Sequence, residues 1–494
     1  MRLSKLVNAL KNAEVIYEGE NWEREIGELS VDSRNATKNA LFVCLCGGRV
    51  DSHEHAVEAV EQGAVAVVTQ KRLSVSVPQV LVKDAREALA VCSSVFYGEP
   101  SKRLKVIGIT GTNGKTTVSY MLSSIFESAG KKVGVIGTLG VRYAKKSFPS
   151  ELTTPDPIFL QKTLAEMVLC GVEYAVMEVS AHSLFYKKTT GVCFSACIFT
   201  NFTQDHLDFF HTMYAYKQAK LGLFQPAVCP LAIVNGDEET GREILRIREK
   251  EREAKSVLYG LNTPSDCFAI VTDESLRGSE CMLNINDTLC RVSLNMTGRH
   301  NVYNALAAAA CAVELGIDAK SVENGLNRID GVCGRLERTC GYHGAEIFID
   351  FAHTPDGLGK SLDALRRHCR GRLVCLFGCG GNRDKTKRPI MGETAAKKAD
   401  FSVLTSDNPR YEDPLDILSD IEKGYRRFSS RFVIVPDREK AVSYALDYLK
   451  TGDILLVAGK GGEEYQEIMG IKYPFDDHDI IEKLLEQKGK NPLS

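Results

Sequence analysis

Lys115 and Thr116 are the residues with the plainest chemistry in this sequence. They close the run Val106-Ile107-Gly108-Ile109-Thr110-Gly111-Thr112-Asn113-Gly114-Lys115-Thr116-Thr117. Glycines let a chain curl until its N–H groups converge on phosphate oxygens. A helix starting where the curl ends adds its own unpaired N–H groups and positive pole. A lysine there reaches the outer phosphates of a nucleoside triphosphate, and the hydroxyl beside it reaches Mg²⁺. The strict spacing has glycine where Ile109 stands, so with Gly108, Gly111 and Gly114 this loop is a variant. Its flanks fit: Leu104–Ile109 reads as a short buried strand and Val118–Ala129 as a helix.

Other polar residues fall where α/β domains keep ligands. Glu178 stands near the end of the apolar strand Tyr174–Val179, and ligands gather at the carboxyl ends of such strands. His206, in Asp205-His206-Leu207-Asp208, suits Mg²⁺ or Mn²⁺ better than zinc, because no further histidine or cysteine joins it at ligand spacing. A purely structural histidine is the competing reading. Lys217 and Lys220, on an expected helix His211–Phe224, read by default as surface lysines. Asn301 and Asn304 share a face at the start of a helix running to Leu315, as caps or as ligands to a base and a phosphate. Further on, Ala345–Asp350 runs into Phe351-Ala352-His353-Thr354-Pro355. The strand Leu373–Gly378 empties into the glycine-rich, basic Cys379–Pro389, which reads as an anion-binding loop. Phe401–Leu404 leads to Asp407-Asn408-Pro409-Arg410, and Ile454–Ala458 to Gly459–Glu463. Three such loops imply one ligand-facing edge on an open parallel sheet.

The elements that position these groups belong to several domains. A chain of 494 residues exceeds what one core organises. With 44% hydrophobic and 26% charged residues it has the composition of a soluble globular protein. A net charge of -2 argues against a large basic surface for nucleic acid. No run suggests a signal peptide or a membrane span. The 16 cysteines are scattered without a C-x-x-C pair and read as buried thiols of a reducing compartment. Residues 1 to about 100 form a small α/β domain, and Gly98-Glu99-Pro100-Ser101 reads as a linker. Within that domain, Val31–Arg34 and Gly47–His53 are polar clusters that seat a phosphate or sugar, or are simply loops.

These motifs, in this order, resemble the Mur ligases of bacterial peptidoglycan synthesis. Gly111–Thr117, Glu178–Leu184, Asp205–Asp208, Gly298-x-x-Asn301-x-x-Asn304, Gly334-Arg335 and Asp350–Asp356 carry the likeness from Asp32 to Glu463. The resemblance implies a three-domain α/β architecture: an N-terminal UDP-sugar-binding domain (1–100), a central P-loop ATP-binding domain (101–332) and a Rossmann-like C-terminal domain binding the incoming amino acid (333–494). It implies an ATP-dependent amide ligase acting on UDP-N-acetylmuramoyl-L-alanyl-D-glutamate through an acyl phosphate, in a cytoplasmic monomer.

By the same resemblance, Gly111, Thr112, Asn113, Gly114, Lys115, Thr116, Thr117, Asn301, Asn304, Arg335, Asp350 and His353 bind ATP. Thr116, Glu178, His206 and a carbamylated Lys220 hold two Mg²⁺ ions, with Mn²⁺ as a possible substitute, and Lys115 stabilises the migrating phosphoryl group. Ser33, Thr153, Thr154, Ser180, Tyr186 and Lys188 face the UDP-sugar peptide, although relatives often carry glutamine and arginine where Tyr186 and Lys188 stand. Arg383, Asp407, Asn408, Pro409, Arg410, Gly459 and Glu463 form the amino-acid pocket. Asp407-Asn408-Pro409-Arg410 is similar to the signature of members adding meso-diaminopimelate, whose second carboxylate Arg410 would grip bidentately. L-lysine or another diamino acid is the alternative acceptor. Gly462, where histidine is usual, and Phe351, where tyrosine is usual, are departures.

Overall fold

The computed structural model describes residues 1–17, 23–48, 50–249 and 254–488, so Arg49 of the Gly47–His53 cluster lies outside the described residues. The chain forms two compact units. The first comprises Met1–Gly108, Lys131–Cys197 and Gln225–Pro230; the second comprises Ile109–Gly130, Ile198–Phe224 and Leu231–Ser494. Strands Lys105–Thr110 and Phe194–Phe199 each carry the chain from one unit to the other.

In the first unit, Gln79–Leu81, Ala64–Thr69, Ala40–Val43 and Glu28–Ser30 pair parallel in that order, with Glu14–Ile16 antiparallel at one edge. Alternation sorts their side chains. Leu41, Val43, Ala66 and Val68 pack with Leu3 and Leu89 on one face, and Phe42, Cys44 and Val67 with Ala59 on the other. The same unit holds Val133–Gly137, parallel to Tyr174–Glu178 and antiparallel to Gly140–Tyr143. Helix Pro157–Leu169 starts on a proline, which the first turn tolerates because its missing N–H would be unpaired there.

In the second unit, Leu231–Asn235 pairs parallel with Lys255–Gly260, which leads into the antiparallel meander Cys267–Ser275, Gly278–Ile285, Thr288–Leu294. The C-terminal sheet runs in the order Glu337–Tyr342, Ala345–Asp350, Ile454–Ala458, Leu373–Phe377, Phe401–Leu404, Phe432–Ile434, parallel except for its first strand. Both faces are covered, as a parallel sheet requires. Phe348, Cys375, Phe377 and Leu456 meet helices Pro355–Arg366, Lys387–Lys398 and Pro414–Tyr425. Ile347, Val374, Leu376 and Val457 meet Arg438–Tyr448 and Asp477–Gln487. The last parallel strand is inserted between the first two, so the loops after Asp350, Ala458, Phe377 and Leu404 open side by side on one sheet edge.

Candidate active site

The helix after the phosphate loop begins at Lys115 rather than Val118. Its N-cap, Gly114, brings no side-chain acceptor to the first-turn N–H groups, which suits the terminus to an anion. Gly111 and Gly114 adopt φ of +148° and +87°; a Cβ would lie 1.9 Å from Thr200 Oγ1 at the first and 2.5 Å from Asn304 Oδ1 at the second. The loop is tied to the neighbouring strand end. Thr112 N–H donates to Asn201 O and Asn113 N–H to Asn201 Oδ1, each at 2.9 Å, and Thr200 Oγ1 donates to Asn113 O at 2.6 Å.

Two lysines converge on this loop. Lys115 Nζ donates to the carbonyls of Gly111 and Thr112, each at 2.9 Å, and Lys220 Nζ donates to Gly111 O at 2.7 Å. Lys220 is therefore no surface lysine: it is 2% exposed. Burial and the nearby Lys115 ammonium push its pKa well below the usual lysine range, against the pull of Asp205. Such an amine sheds its proton readily and becomes a nucleophile toward CO₂. The expected helix His211–Phe224 is shorter, Met213–Leu221 followed by a 3-10 turn at Gly222–Phe224, and Thr212 caps its start by accepting from Ala215 N–H. Lys217 turns away to Glu243, at 2.6 Å.

Asn301 and Asn304 are not caps. Asn301 Nδ2 donates to Thr297 O at 2.9 Å, and Asn304 Nδ2 donates to Asn301 Oδ1 at 3.2 Å, which sets Asn304 against Gly114. Arg335 Nη2 donates to Thr116 Oγ1 at 3.0 Å while the guanidinium lies 4.3 Å from the Phe351 ring centroid. Asp350, beside it in sequence, is buried and accepts from Ser361 Oγ; burial raises its pKa above the ordinary carboxylate value.

Asp205 behaves oppositely. It is buried among Lys387 (3.3 Å), His206 (3.3 Å) and His353 (3.5 Å). Burial opposes its ionisation, but these partners outweigh it and hold the carboxyl well below the usual range. Lys387 comes from the basic loop expected to trap anions. That expectation needs correction: Lys387 and Arg388 are buried, the latter on Glu412 at 3.0 Å and Asp420 at 3.2 Å, and only Arg383 and Lys385 stand exposed.

The residues that the resemblance implied for the amino acid lie on loops at this sheet edge. Asn408 Nδ2 donates to Glu463 Oε2 at 2.9 Å, and Lys460 Nζ reaches Asn408 Oδ1 at 3.2 Å and Glu463 Oε2 at 3.3 Å. A Cβ on Gly459 would lie 2.5 Å from Asp407 Oδ2, so glycine lets the backbone close on this buried carboxylate. Burial raises the Asp407 pKa, but Lys460 and Arg438 bring it below the ordinary value. Arg410 Nε donates to Glu467 Oε2 and Nη1 to Gly381 O, each at 2.9 Å.

In the first unit, Glu178 is 1% exposed and accepts from Thr138 N–H at 2.9 Å and Thr138 Oγ1 at 3.1 Å; Thr138 also meets Thr153 at 3.1 Å. Thr154 Oγ1 donates to Glu178 O at 2.8 Å and accepts from Ser180 N–H at 3.0 Å. Ser33 Oγ donates to Glu58 at 2.9 Å. Tyr186 lies under Arg86, 4.4 Å from the ring centroid, and Lys188 pairs with Asp156 at 2.7 Å.

Thr138, Asp205, Lys387 and Glu467 are the structural partners that motif reading passed over. Asp205 and Lys387 lay within quoted motifs, whereas nothing local marks Thr138 or Glu467.

Within the second unit the donor set fits nucleotide and metal: a helix terminus with a glycine cap, two convergent lysines and a hydroxyl at Thr116. Comparison with known proteins agrees. Residues 25–97 match the Mur ligase family catalytic domain, 109–312 the Mur ligase middle domain, and 334–461 the Mur ligase glutamate ligase domain. The chain is 38% identical over 497 residues (99% of this chain, 100% of the relative) to the UDP-N-acetylmuramoyl-L-alanyl-D-glutamate–2,6-diaminopimelate ligase of Bacillus velezensis. It is 40% identical over 494 residues (99% and 100%) to ligase 1 of the same description from Clostridium acetobutylicum. A solved structure of such a ligase superposes with TM-score 0.69 at 30% identity, covering 96% of this chain and 98% of that one. With three matched domains in order and end-to-end relatives, this chain belongs to the Mur ligase family.

Proposed function

We propose that this chain joins an amine of meso-2,6-diaminopimelate to the D-glutamate side-chain carboxylate of UDP-N-acetylmuramoyl-L-alanyl-D-glutamate, at the expense of ATP. The reaction belongs to the cytoplasmic stage of peptidoglycan precursor synthesis. One observation carries this reading: the buried Lys220 and the loop's own Lys115 meet on a phosphate-loop carbonyl in a chain that matches diaminopimelate ligases from end to end.

A free carboxylate has no leaving group that an amine can displace. Transfer of the γ-phosphoryl group to a carboxylate oxygen, with departure of ADP, creates one. The amine then attacks the carbonyl carbon, and phosphate leaves. Lys115 and the N–H groups of Gly111–Thr117 follow the charge on the migrating phosphoryl group. Thr116 and Glu178 would hold one Mg²⁺; His206 and Lys220, the latter carrying CO₂ as a carbamate, would hold a second, and Mn²⁺ could substitute. Bound metal neutralises charge on the phosphates. Asn301, Asn304, Arg335, Asp350 and His353 complete the nucleotide site. Ser33, Thr153, Thr154, Ser180, Tyr186 and Lys188 take the UDP-sugar peptide. Arg383, Asp407, Asn408, Pro409, Arg410, Gly459 and Glu463 take the acceptor. The domain bounds are 1–100, 101–332 and 333–494, and the enzyme works as a monomer.

The same ligation with L-lysine or another diamino acid is the second reading. It is favoured by Glu467, which already neutralises the arginine meant to select a second carboxylate. Phosphate release from ATP with Mg²⁺, the UDP-dipeptide and either amino acid, with mass detection of the tripeptide, tests both. Product with diaminopimelate is expected. Release without any tripeptide overturns the proposal.

A further inference from the structure

We infer that Glu467 is a specificity-setting positioning residue: an internal counter-ion that shares Arg410 with the acceptor's distal carboxylate and thereby softens discrimination against lysine. The inference rests on the ligase reading above and assigns a role to a residue outside the matched pocket.

A guanidinium offers a carboxylate two bidentate edges, Nε with Nη2 and Nη1 with Nη2. In this chain both edges are half taken, the first by Glu467 on Nε and the second by Gly381 O on Nη1. The arrangement is fixed from several sides. Arg410 N–H donates to Glu467 O at 3.0 Å, Met469 N–H donates to Arg410 O at 2.7 Å, and Glu467 N–H donates to Asn408 Oδ1 at 2.9 Å. Arg410 itself holds φ +52°, a left-handed conformation that these bonds stabilise. A Cβ on Gly380 would lie 2.9 Å from Arg410 Nη1, so glycine there leaves the guanidinium its place. The side chains of Arg410 and Glu467 are 16% and 22% exposed, so the pair is shielded yet reachable.

The consequence follows from charge. Were Arg410 without a counter-ion, a bound lysine would leave a shielded cation uncompensated, and the site would reject it. Glu467 removes that penalty. The distal carboxylate of diaminopimelate must then take Nη2 alone or displace Glu467 from the Nε edge. Either way, selectivity is lower than Arg410 could deliver.

The test is acceptor kinetics on the full-length enzyme, comparing wild type with Glu467→Gln, which keeps an acceptor for Nε while removing the charge. The ratio of kcat/KM for meso-diaminopimelate over L-lysine is expected to rise by on the order of tenfold, carried by acceptor KM. The KM values for ATP and the UDP-dipeptide should stay unchanged, which reports an intact fold. In an Arg410→Ala background the same substitution should leave the ratio unmoved. An unchanged or lower ratio in Glu467→Gln, or an equal rise without Arg410, overturns the inference while the ligase reading stands. Wild-type enzyme that forms product with neither amino acid overturns both.

Discussion

Two strand-end loops of the second unit hold their cations in different ways. In Gly111–Thr117, Lys115 and Lys220 rest on the backbone carbonyls of Gly111 and Thr112. In the C-terminal loops that we propose as the acceptor pocket, Arg410 and Lys460 rest on the carboxylates of Glu467 and Glu463. A carbonyl offers a cation only a partial charge, which the full charges of a phosphate outcompete. A carboxylate has to be shared or displaced. The phosphate loop is thus preset for an anion, whereas the acceptor pocket is neutralised internally and asks its ligand to compete.

The comparison can be broken first at Lys115. Lys115→Ala should lower kcat by on the order of 10³-fold in acceptor-dependent phosphate release, since it removes charge that stabilises the transferring group. Loss confined to the KM for ATP would make it a binding residue only. Lys220→Ala should cost roughly 10²-fold. A carbamate carbon signal seen after exposure of wild type to ¹³C-bicarbonate should vanish in this variant. Because carbamylation needs the neutral amine, the signal should fade as pH drops through the depressed Lys220 pKa, and persistence in the variant would assign it elsewhere. Arg410→Ala should raise the diaminopimelate KM by roughly 30-fold and leave that of lysine within about threefold, a moderate effect because Glu467 already holds the guanidinium.

The smallest effect concerns the edge strand Glu337–Tyr342 of the C-terminal sheet. His478 pairs with Glu337 at 2.9 Å and Asp476 at 3.1 Å, and Glu337 accepts from Gly334 N–H at 2.7 Å, next to Arg335. The Glu337 hydrogen bond raises the His478 pKa from 6.5 to about 9 against burial. A raised histidine pKa adds stability that is complete below the unfolded value and is lost as pH rises through the folded one. The contribution, on the order of 3 kcal/mol, should therefore fade between pH 6.5 and about 9. His478→Gln should lower Tm by roughly 5 °C at the acidic end of that window and by little above it. Equal lowering at both ends would make the effect one of packing.

Contiguity decided what the sequence disclosed. The phosphate loop, Glu178 at a strand end and the alternating strands of the C-terminal sheet were legible because period and neighbours carry them. Lys220 was not legible from the residues alone, since nothing in Ala215–Leu221 says which face is buried; only the family resemblance singled it out. The basic loop misled because charge in sequence does not show which side chains find buried carboxylates: Lys387 finds Asp205, and Arg388 finds Glu412. Glu467 could not be found by motif, because its role exists only where Tyr465–Ile468 lies beside Asp407–Arg410. No helix among the described residues is long and apolar enough to cross a membrane, in line with the hydropathy of the sequence.

The central claim is that ATP activates the D-glutamate carboxylate before the amine arrives. Both carboxylate oxygens of the UDP-dipeptide can be labelled with ¹⁸O, and the released phosphate examined by mass spectrometry after one round of ligation with meso-diaminopimelate. Activation through an acyl phosphate delivers one labelled oxygen to each phosphate. Unlabelled phosphate, accompanied by tripeptide, would contradict it.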